Sequence, residues 1–179
     1  RYYEIHGEML IKNGLCYPPH EVKYEQSIVA PAVNYLFQLY ELTGKILYLE
    51  EGKKQLAVLV LFNGHQPDFH MYENAVRHWD GYWFGKYKNL GDTFPHYWSS
   101  LSGVAFREYE KITGERSYGV KAENSLRGVL SMINSDGSAS CAYVYPFMVN
   151  NVRCQYADPW ANDQDWALYY YLKEGKNYD

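Results

Sequence analysis

Several features that define well-known function classes are scarce or missing in this chain of 179 residues. Its three cysteines, Cys16, Cys141 and Cys154, are widely spaced and odd in number, so they predict neither a disulfide framework nor a C-x-x-C metal pair. The sequence also lacks the glycine fingerprints of phosphate and dinucleotide binding and the G-x-S-x-G nucleophile elbow. We therefore expect reduced, structural thiols and no cofactor.

Basic runs and long apolar runs are absent as well. Lysine and arginine number 17 against 21 acidic residues, and no basic stripe is visible, so we expect no nucleic-acid partner. The longest apolar stretch, around 56–62, is far too short to cross a bilayer, so we expect no membrane span. The first residue is Arg1 rather than methionine, so the missing signal peptide leaves the localisation open.

Metal-binding motifs are missing too. The sequence contains no H-E-x-x-H motif, no calcium loop and no Cys/His ligand spacing. Asp163, Asp165 and the six histidines could supply ligands, but their spacing matches none of these motifs. We therefore expect no metal site.

Aromatic residues, by contrast, are abundant. They make up 18% of the chain, and tyrosine alone occurs 20 times. Tyrosine and tryptophan combine an apolar ring with a polar group, so they suit half-buried clefts that remain wet. The length is sufficient for one domain with a core, and we treat 1–179 as a single, partial domain.

An internal repeat organises the chain. Residues 42–48 (LTGKILY) match residues 112–118 (ITGERSY), and each Thr-Gly pair lies between two helical patterns. Glycine directly after a helix is the expected C-cap, because it tolerates the left-handed conformation. The repeat therefore predicts two helical hairpins with tight turns. Their four helices are expected at 27–41, 46–61, 97–111 and 117–133.

A third, incomplete copy follows these hairpins. Residues 171–176 resemble 40–45, which predicts a helix over 161–173 as the first half of another hairpin. A short amphipathic helix is expected at 2–11. Because hairpin repeats cannot bury both of their faces alone, we expect the chain to belong to a larger helical array or to need a partner chain. A complete small bundle is the alternative.

The connections between the hairpins are long, whereas the Thr-Gly turns are short. Antiparallel hairpins place the long connections, 62–95 and 134–160, on one rim, here called the long-loop rim, and the turns on the other. Long loops in compact domains usually carry function. A short β-hairpin is expected at 139–145 and 147–152. All tryptophans fall on the long-loop rim or at the helix start that follows it: Trp79, Trp83, Trp98, Trp160 and Trp166.

Three segments of this rim combine charged groups with aromatic rings. The segment 77–84 places Asp80 among histidine, tryptophan and tyrosine, although a tight loop with Asp80 bonded to its own backbone would also explain it. The segment 91–98 reads partly as a helix start, with Asp92 or Thr93 as cap and Pro95 in the first turn. The substrate-binding candidates that these two segments supply are Arg77, His78, Trp79, Trp83, His96 and Trp98.

The third segment, 158–166, contains three carboxylates in nine residues. Its acids are largely explained as a helix start, with Asp158 as N-cap and the helix dipole favouring negative charge. Trp160, Asn162 and Trp166 remain unexplained and are candidates for substrate binding. Asp68 and Asp136 rank lower, because turn chemistry explains the glycine-rich segments near them.

Taken together, the hairpins and the segments 78–85, 91–98 and 158–166 look like the (α/α) toroid of the six-hairpin glycosidases. The resemblance covers roughly 24–173 and corresponds to about half of a full ring, so it implies an all-α fold and a partner in the rest of the toroid, in the same or another chain. It implies a carbohydrate-binding cleft on the long-loop rim. Several members act on sugars that contain uronic acids, including unsaturated glucuronyl hydrolases and β-glucuronidases, and related toroids occur in polysaccharide lyases.

On this resemblance we expect a glycoside hydrolase that uses a pair of carboxylates. Burial against indole rings raises the pKa of a carboxyl group, so Asp80 is the candidate general acid. Asp92 or Asp158 would supply the second carboxylate. Arg77 or His96 would recognise a substrate carboxylate, and the aromatic rings would stack on sugar rings.

Two alternatives from other classes stay open. A polysaccharide lyase would use histidine and tyrosine as base and acid, and His78, His96 and Tyr97 are available for that role. A non-catalytic, carbohydrate-binding toroid would use the same aromatic rim without a carboxylate pair. A toroid of the terpenoid-cyclase type fits less well, because it would need a tight aspartate cluster.

Overall fold

Helices make up most of the structure, a computed structural model that describes residues 1–13, 26–60, 93–96, 98–139, 142–144, 148–149, 152–153 and 164–175. The prediction of an all-α chain built from helical hairpins is confirmed. Within the described ranges, no helix is long and apolar enough to cross a membrane. The elements are α1 (Tyr2–Asn13), α2 (Gln26–Thr43), α3 (Ile46–Val60), β1 (Thr93–His96), α4 (Ser99–Thr113), α5 (Arg116–Gly128), a 3₁₀ turn (Val129–Met132), β2 (Ala142–Val144), β3 (Met148–Val149), β4 (Val152–Arg153) and α6 (Gln164–Glu174).

The two Thr-Gly turns have the same backbone geometry. Gly44 and Gly114 adopt positive φ angles of 69° and 75°. The N–H of Gly44 donates to the carbonyl of Tyr40, and that of Gly114 donates to the carbonyl of Glu110, both at 2.7 Å. These bonds satisfy helix carbonyls that have no partner within the helix, and they end α2 and α4 in the same way. The predicted C-caps are confirmed.

The hydrogen bond that ends α2 and α4 also occurs at the C-terminal end of α6. The N–H of Gly175 donates to the carbonyl of Tyr171 at 2.8 Å, as expected from the third partial copy of the repeat. In the two complete copies, the threonine hydroxyl also bonds back into its helix, from Thr43 to the carbonyl of Leu39 and from Thr113 to that of Tyr109. The repeat therefore extends from sequence to hydrogen-bonding pattern.

Replacement of Gly114 by alanine is expected to lower the free energy of unfolding by about 1–2 kcal/mol. A Cβ at this position would meet nothing within 4 Å, so the cost arises from the left-handed backbone alone. Denaturant unfolding measures it. Gly114→Asn is the matched control, because asparagine tolerates this conformation better and should lose less stability. Equal stability of the two variants would contradict the assignment.

The helices form two layers. Helices α2, α4 and α6 lie side by side, with α4 in the middle, and α3 and α5 pack against them from the other layer. The Phe37 and Tyr109 rings, with centroids 5.7 Å apart, join α2 to α4. An ion pair between Lys111 and Glu174 joins the C-terminal ends of α4 and α6 at 2.7 Å. The first helices of successive hairpins therefore run in the same direction, which is compatible with an arc of an (α/α) toroid.

The core lies between the two layers. The repeat pairs Leu36 with Phe106 and Leu56 with Leu126, and all four side chains are fully buried. Matched positions of the two hairpins thus have the same packing role. The main cluster combines residues from α2, α3, α4 and α5: Val29, Ala30, Ala32, Val33, Phe37, Leu56, Leu59, Ala105, Phe106, Tyr109 and Ala122.

Helix α1 confirms the predicted short helix at 2–11 and packs on the first hairpin. Gly7 is buried so closely against Leu39 and Tyr48 that a Cβ would lie 2.4 Å and 3.0 Å from their side chains. Lys45 pairs with Glu4, and this hydrogen-bonded contact lowers the pKa of Glu4 and raises that of Lys45. The first Thr-Gly turn is therefore tied to α1.

Two short antiparallel pairs correct the local predictions for the loops. Strand β1 pairs with β2 in an irregular register, and β3 pairs with β4. The predicted β-hairpin between 139–145 and 147–152 is wrong, because β2 pairs with a distant segment instead. Placing Pro95 in the first turn of a helix is also wrong. It lies in β1, where Thr93 and Phe94 favour an extended backbone, and α4 begins at Ser99.

Candidate carbohydrate site on the long-loop rim

The pairing of β1 with β2 brings the two long loops together. Strand β1 belongs to the connection between α3 and α4, and β2 belongs to the connection between α5 and α6. Thr93 lies opposite Val144, and His96 lies opposite Ala142. The described parts of both loops therefore meet on one rim of the helical layers.

The 3₁₀ turn (Val129–Met132) connects this ladder to α6. It contacts β1 on one side and α6 on the other. Val129, Met132 and Ala167 form a separate, buried apolar cluster, so the first turns of α6 are held on the end of α5. Trp166 precedes Ala167 directly, and its backbone therefore lies at the same rim.

Trp98 stands at the start of α4. It is the N-cap residue, it is half-buried, and its carbonyl accepts a hydrogen bond from the N–H of Leu101 at 3.0 Å. The buried serines Ser99 and Ser100 follow it. Only Tyr97 separates Trp98 from the end of β1. The prediction that Trp98 and Trp166 lie at helix starts on the long-loop rim is confirmed.

The chain is similar to a solved polysaccharide lyase. The two share 53% sequence identity, and the superposition has a TM-score of 0.75. The match covers 95% of this chain but 25% of the lyase, so this chain spans about a quarter of that protein's length. No protein-family model matches the chain, and no curated protein matches it either.

The similarity is to an enzyme named for its action on polysaccharide. It does not support the glycoside hydrolase expected from the aspartates, and it fits the lyase alternative better. The hydrolase expectation rested on carboxylates beside indole rings. The residue types alone do not separate the two enzyme classes.

Most of the predicted site residues lie outside the described residues. This applies to the proposed carboxylates and to several substrate-binding candidates: Asp80, Asp92, Asp158, Arg77, His78, Trp79, Trp83, Trp160 and Asn162. Of the remaining candidates, the structure gives the backbone of His96 in β1, Trp98 in full, and the backbone of Trp166 in α6. The elements that contain His96 and Trp166, β1 and α6, both contact the 3₁₀ turn, and Trp98 lies at the start of α4. Asp165, in the first turn of α6, is exposed.

Asp136 is a turn residue, as the sequence indicated. Its Oδ1 accepts hydrogen bonds from the backbone N–H of Ser138 at 2.9 Å and from the Ser138 hydroxyl at 2.6 Å. These bonds lower the pKa of Asp136. Gly137 has a φ of 84°, and the turn is closed by a hydrogen bond from the N–H of Asn134 to the Ser138 carbonyl. The prediction that turn chemistry explains Asp136 is confirmed. Asp68 lies outside the described residues.

Within the described ranges, no group of three or more histidine, cysteine, aspartate or glutamate side chains could hold a metal ion. Two features were not predicted from the sequence, one in the long-loop rim and one in the helices that carry it. One is the β1–β2 ladder, which has no local signal. The other is a buried arginine, Arg107, whose signal was its place in the repeat: the equivalent residue in the first copy is Phe37.

Proposed function

We propose that this chain is part of a polysaccharide lyase that cleaves a uronic-acid-containing polysaccharide by β-elimination. The observation that carries the proposal is the 53% identity with a polysaccharide lyase over 95% of this chain. Because the chain spans about a quarter of that lyase, the proposal concerns the activity of the whole protein to which the chain belongs.

Elimination requires a base and an acid but no water. The base removes the proton from the carbon next to the uronate carboxylate, and the electron pair forms a carbon–carbon double bond. The bond to the leaving sugar oxygen breaks, and the acid protonates that oxygen. A cationic or hydrogen-bonding group must stabilise the negative charge that develops on the carboxylate. The products are a sugar with a free hydroxyl and an unsaturated uronate.

His96 and Tyr97 are the proposed base and acid. The geometry supports the placement of His96, because β1 ends at this residue on the rim where the two long loops meet, and Tyr97 follows it in the sequence. The chain then enters α4 at Trp98. Arg77 or His78 would neutralise the substrate carboxylate. Trp98 and Trp166 lie at neighbouring helix starts, where indole rings would stack on sugar rings.

A panel of uronate polysaccharides tests the proposal in the intact protein. We expect cleavage to raise the ultraviolet absorbance of the conjugated double bond, with no cleavage of a neutral polysaccharide. In water labelled with heavy oxygen, elimination leaves both products unlabelled, whereas hydrolysis places the label in one of them. Labelled products without new absorbance would contradict the lyase proposal and indicate a hydrolase. Binding without cleavage of any uronate polymer would indicate the non-catalytic toroid.

A further inference from the structure

The two hairpins differ at one buried position of the repeat. Phe37 of α2 is fully buried and contacts the ring of Tyr109. The equivalent residue of α4 is Arg107, which is only 3% exposed. A buried guanidinium is strongly destabilising unless it is paired and hydrogen-bonded. The hydrogen-bond partners of Arg107 therefore show which helices this side chain connects.

Arg107 bonds to three helices at once. Its Nη1 donates to Oε2 of Glu110 on its own helix at 2.5 Å, and its Nη2 donates to Oε2 of Glu123 on α5 at 3.0 Å. Its Nε donates to the backbone carbonyl of Glu174 on α6 at 3.1 Å. The rigid, planar guanidinium fixes the directions of these bonds, which a lysine ammonium would not do.

The surroundings of Arg107 are fitted to this cluster. A Cβ at Gly119 would lie 2.1 Å from Oε1 of Glu110, so a side chain at this position would displace the carboxylate that Arg107 holds. Lys111 bonds to the side chains of Glu108 and Glu174 at 3.0 Å and 2.7 Å. A hydrophobic substitution for Arg107 alone would leave the two glutamates without their buried cation.

The bond to Glu174 acts on the C-terminal end of α6. The last carbonyls of a helix have no N–H partner within the helix, and this end carries partial negative charge. The guanidinium of Arg107 supplies both a donor and a positive charge. At the other end, Ala167 is packed against Val129 and Met132. Contacts near both ends therefore define the direction of this 11-residue helix: Arg107 and Lys111 bond to Glu174 at one end, and Ala167 packs at the other.

We propose that Arg107 is a positioning residue for the carbohydrate site. By holding the C-terminal end of α6, it prevents this helix from tilting about Ala167, and so it sets the orientation of the first turn of α6, which carries Trp166, at the long-loop rim. The proposal rests on the proposed function for its effect on substrate. It does not need that function for its effect on α6.

Two variants test this in the intact protein. Arg107→Met alone leaves buried carboxylates uncompensated and is expected to unfold readily. The double variant Arg107→Met/Glu123→Leu removes the main buried ion pair together with the bond to Glu174. Apolar replacement of a buried pair is often neutral or stabilising, and Glu110, which loses its partner, is partly exposed to water. We therefore expect the double variant to fold, with a melting temperature above that of Arg107→Met. Lys54→Met, which removes an exposed pair with Glu51, is the control.

Hydrogen exchange and kinetics provide independent readouts. Relative to the parent protein, we expect the double variant to show a larger increase in the rate of amide exchange in α6 than in α5. We also expect kcat/KM on the cleaved polysaccharide to fall by roughly 10- to 100-fold, mainly because KM rises. The reason is that the first turn of α6, which carries Trp166, changes its orientation at the rim. Arg107→Lys should restore part of the protection of α6. Unchanged exchange in α6, or a loss of kcat with unchanged KM, overturns the proposal. A protein without any lyase activity overturns the proposed function and leaves the exchange result valid.

Discussion

Separate replacement of His96 by alanine and of Tyr97 by phenylalanine is expected to lower turnover by about 10²–10⁴-fold each. Elimination depends on proton transfer from the carbon next to the carboxylate and to the leaving oxygen, and neither alanine nor phenylalanine can carry out these steps. The initial rate of the rise in absorbance of the double bond measures the effect. Binding of the uncleaved polymer should remain within a small factor, because the loss falls on the chemical step.

The aspartates provide the controls for this experiment. Asp80→Asn should leave most of the turnover of a lyase, whereas it should abolish that of a hydrolase that uses Asp80 as its acid. Asp136→Asn alters an exposed turn carboxylate and should leave turnover unchanged. If Asp80→Asn abolishes cleavage while the His96 and Tyr97 variants remain active, the proposed roles are wrong.

Replacement of Phe106 by alanine is expected to lower the free energy of unfolding by about 3–5 kcal/mol. Phe106 is fully buried in the main core cluster, and its ring lies 5.9 Å from that of Tyr118. The loss combines the transfer energy of the ring with the cavity that remains. It is large compared with a typical total stability of about 5–15 kcal/mol. Equilibrium unfolding in denaturant measures it.

Leu172→Ala is the matched control for this core substitution. Leu172 is 71% exposed, so its truncation should change the free energy of unfolding by no more than about 0.5 kcal/mol. Leu126→Ala, at a buried repeat position, should lower the free energy of unfolding by about 2–5 kcal/mol, well above the change expected for Leu172→Ala. A Leu172 variant that loses as much stability as the Phe106 variant would contradict the described core.

The helices and their turns were predictable because their signals are local. The Thr-Gly pairs require a left-handed glycine immediately after a helix, and the apolar spacing before them follows one helix face. The positive φ angles of Gly44 and Gly114 and the burial of Leu56 and Leu126 follow directly. The start of α4 was misplaced by two residues, because Pro95 is as acceptable in an edge strand as in a first helical turn.

The long-range contacts were not predictable in the same way. Strand β2 is only three residues long and pairs with β1 across the whole α4–α5 hairpin, so no neighbouring pattern marks the pairing. The residue type of Arg107 predicts a surface position, since arginine is mostly exposed in proteins, and only its alignment with Phe37 in the repeat points to burial. Its burial depends on where α5 and α6 lie. The choice between lyase and hydrolase likewise came from similarity to a known protein and not from residue types.

The β1–β2 ladder also has a consequence for the order in which the molecule assembles. Contacts within the α2–α3 and α4–α5 hairpins join residues close in sequence, whereas the ladder joins Thr93 to Val144, about 50 positions away. Local contacts form quickly, and closing a long loop is entropically costly until the intervening chain is compact. The hairpins should therefore form first and the ladder afterwards. Under mild denaturing stress the long-loop rim would come apart before the helical layers, so the proposed lyase activity would be lost before the helical signal.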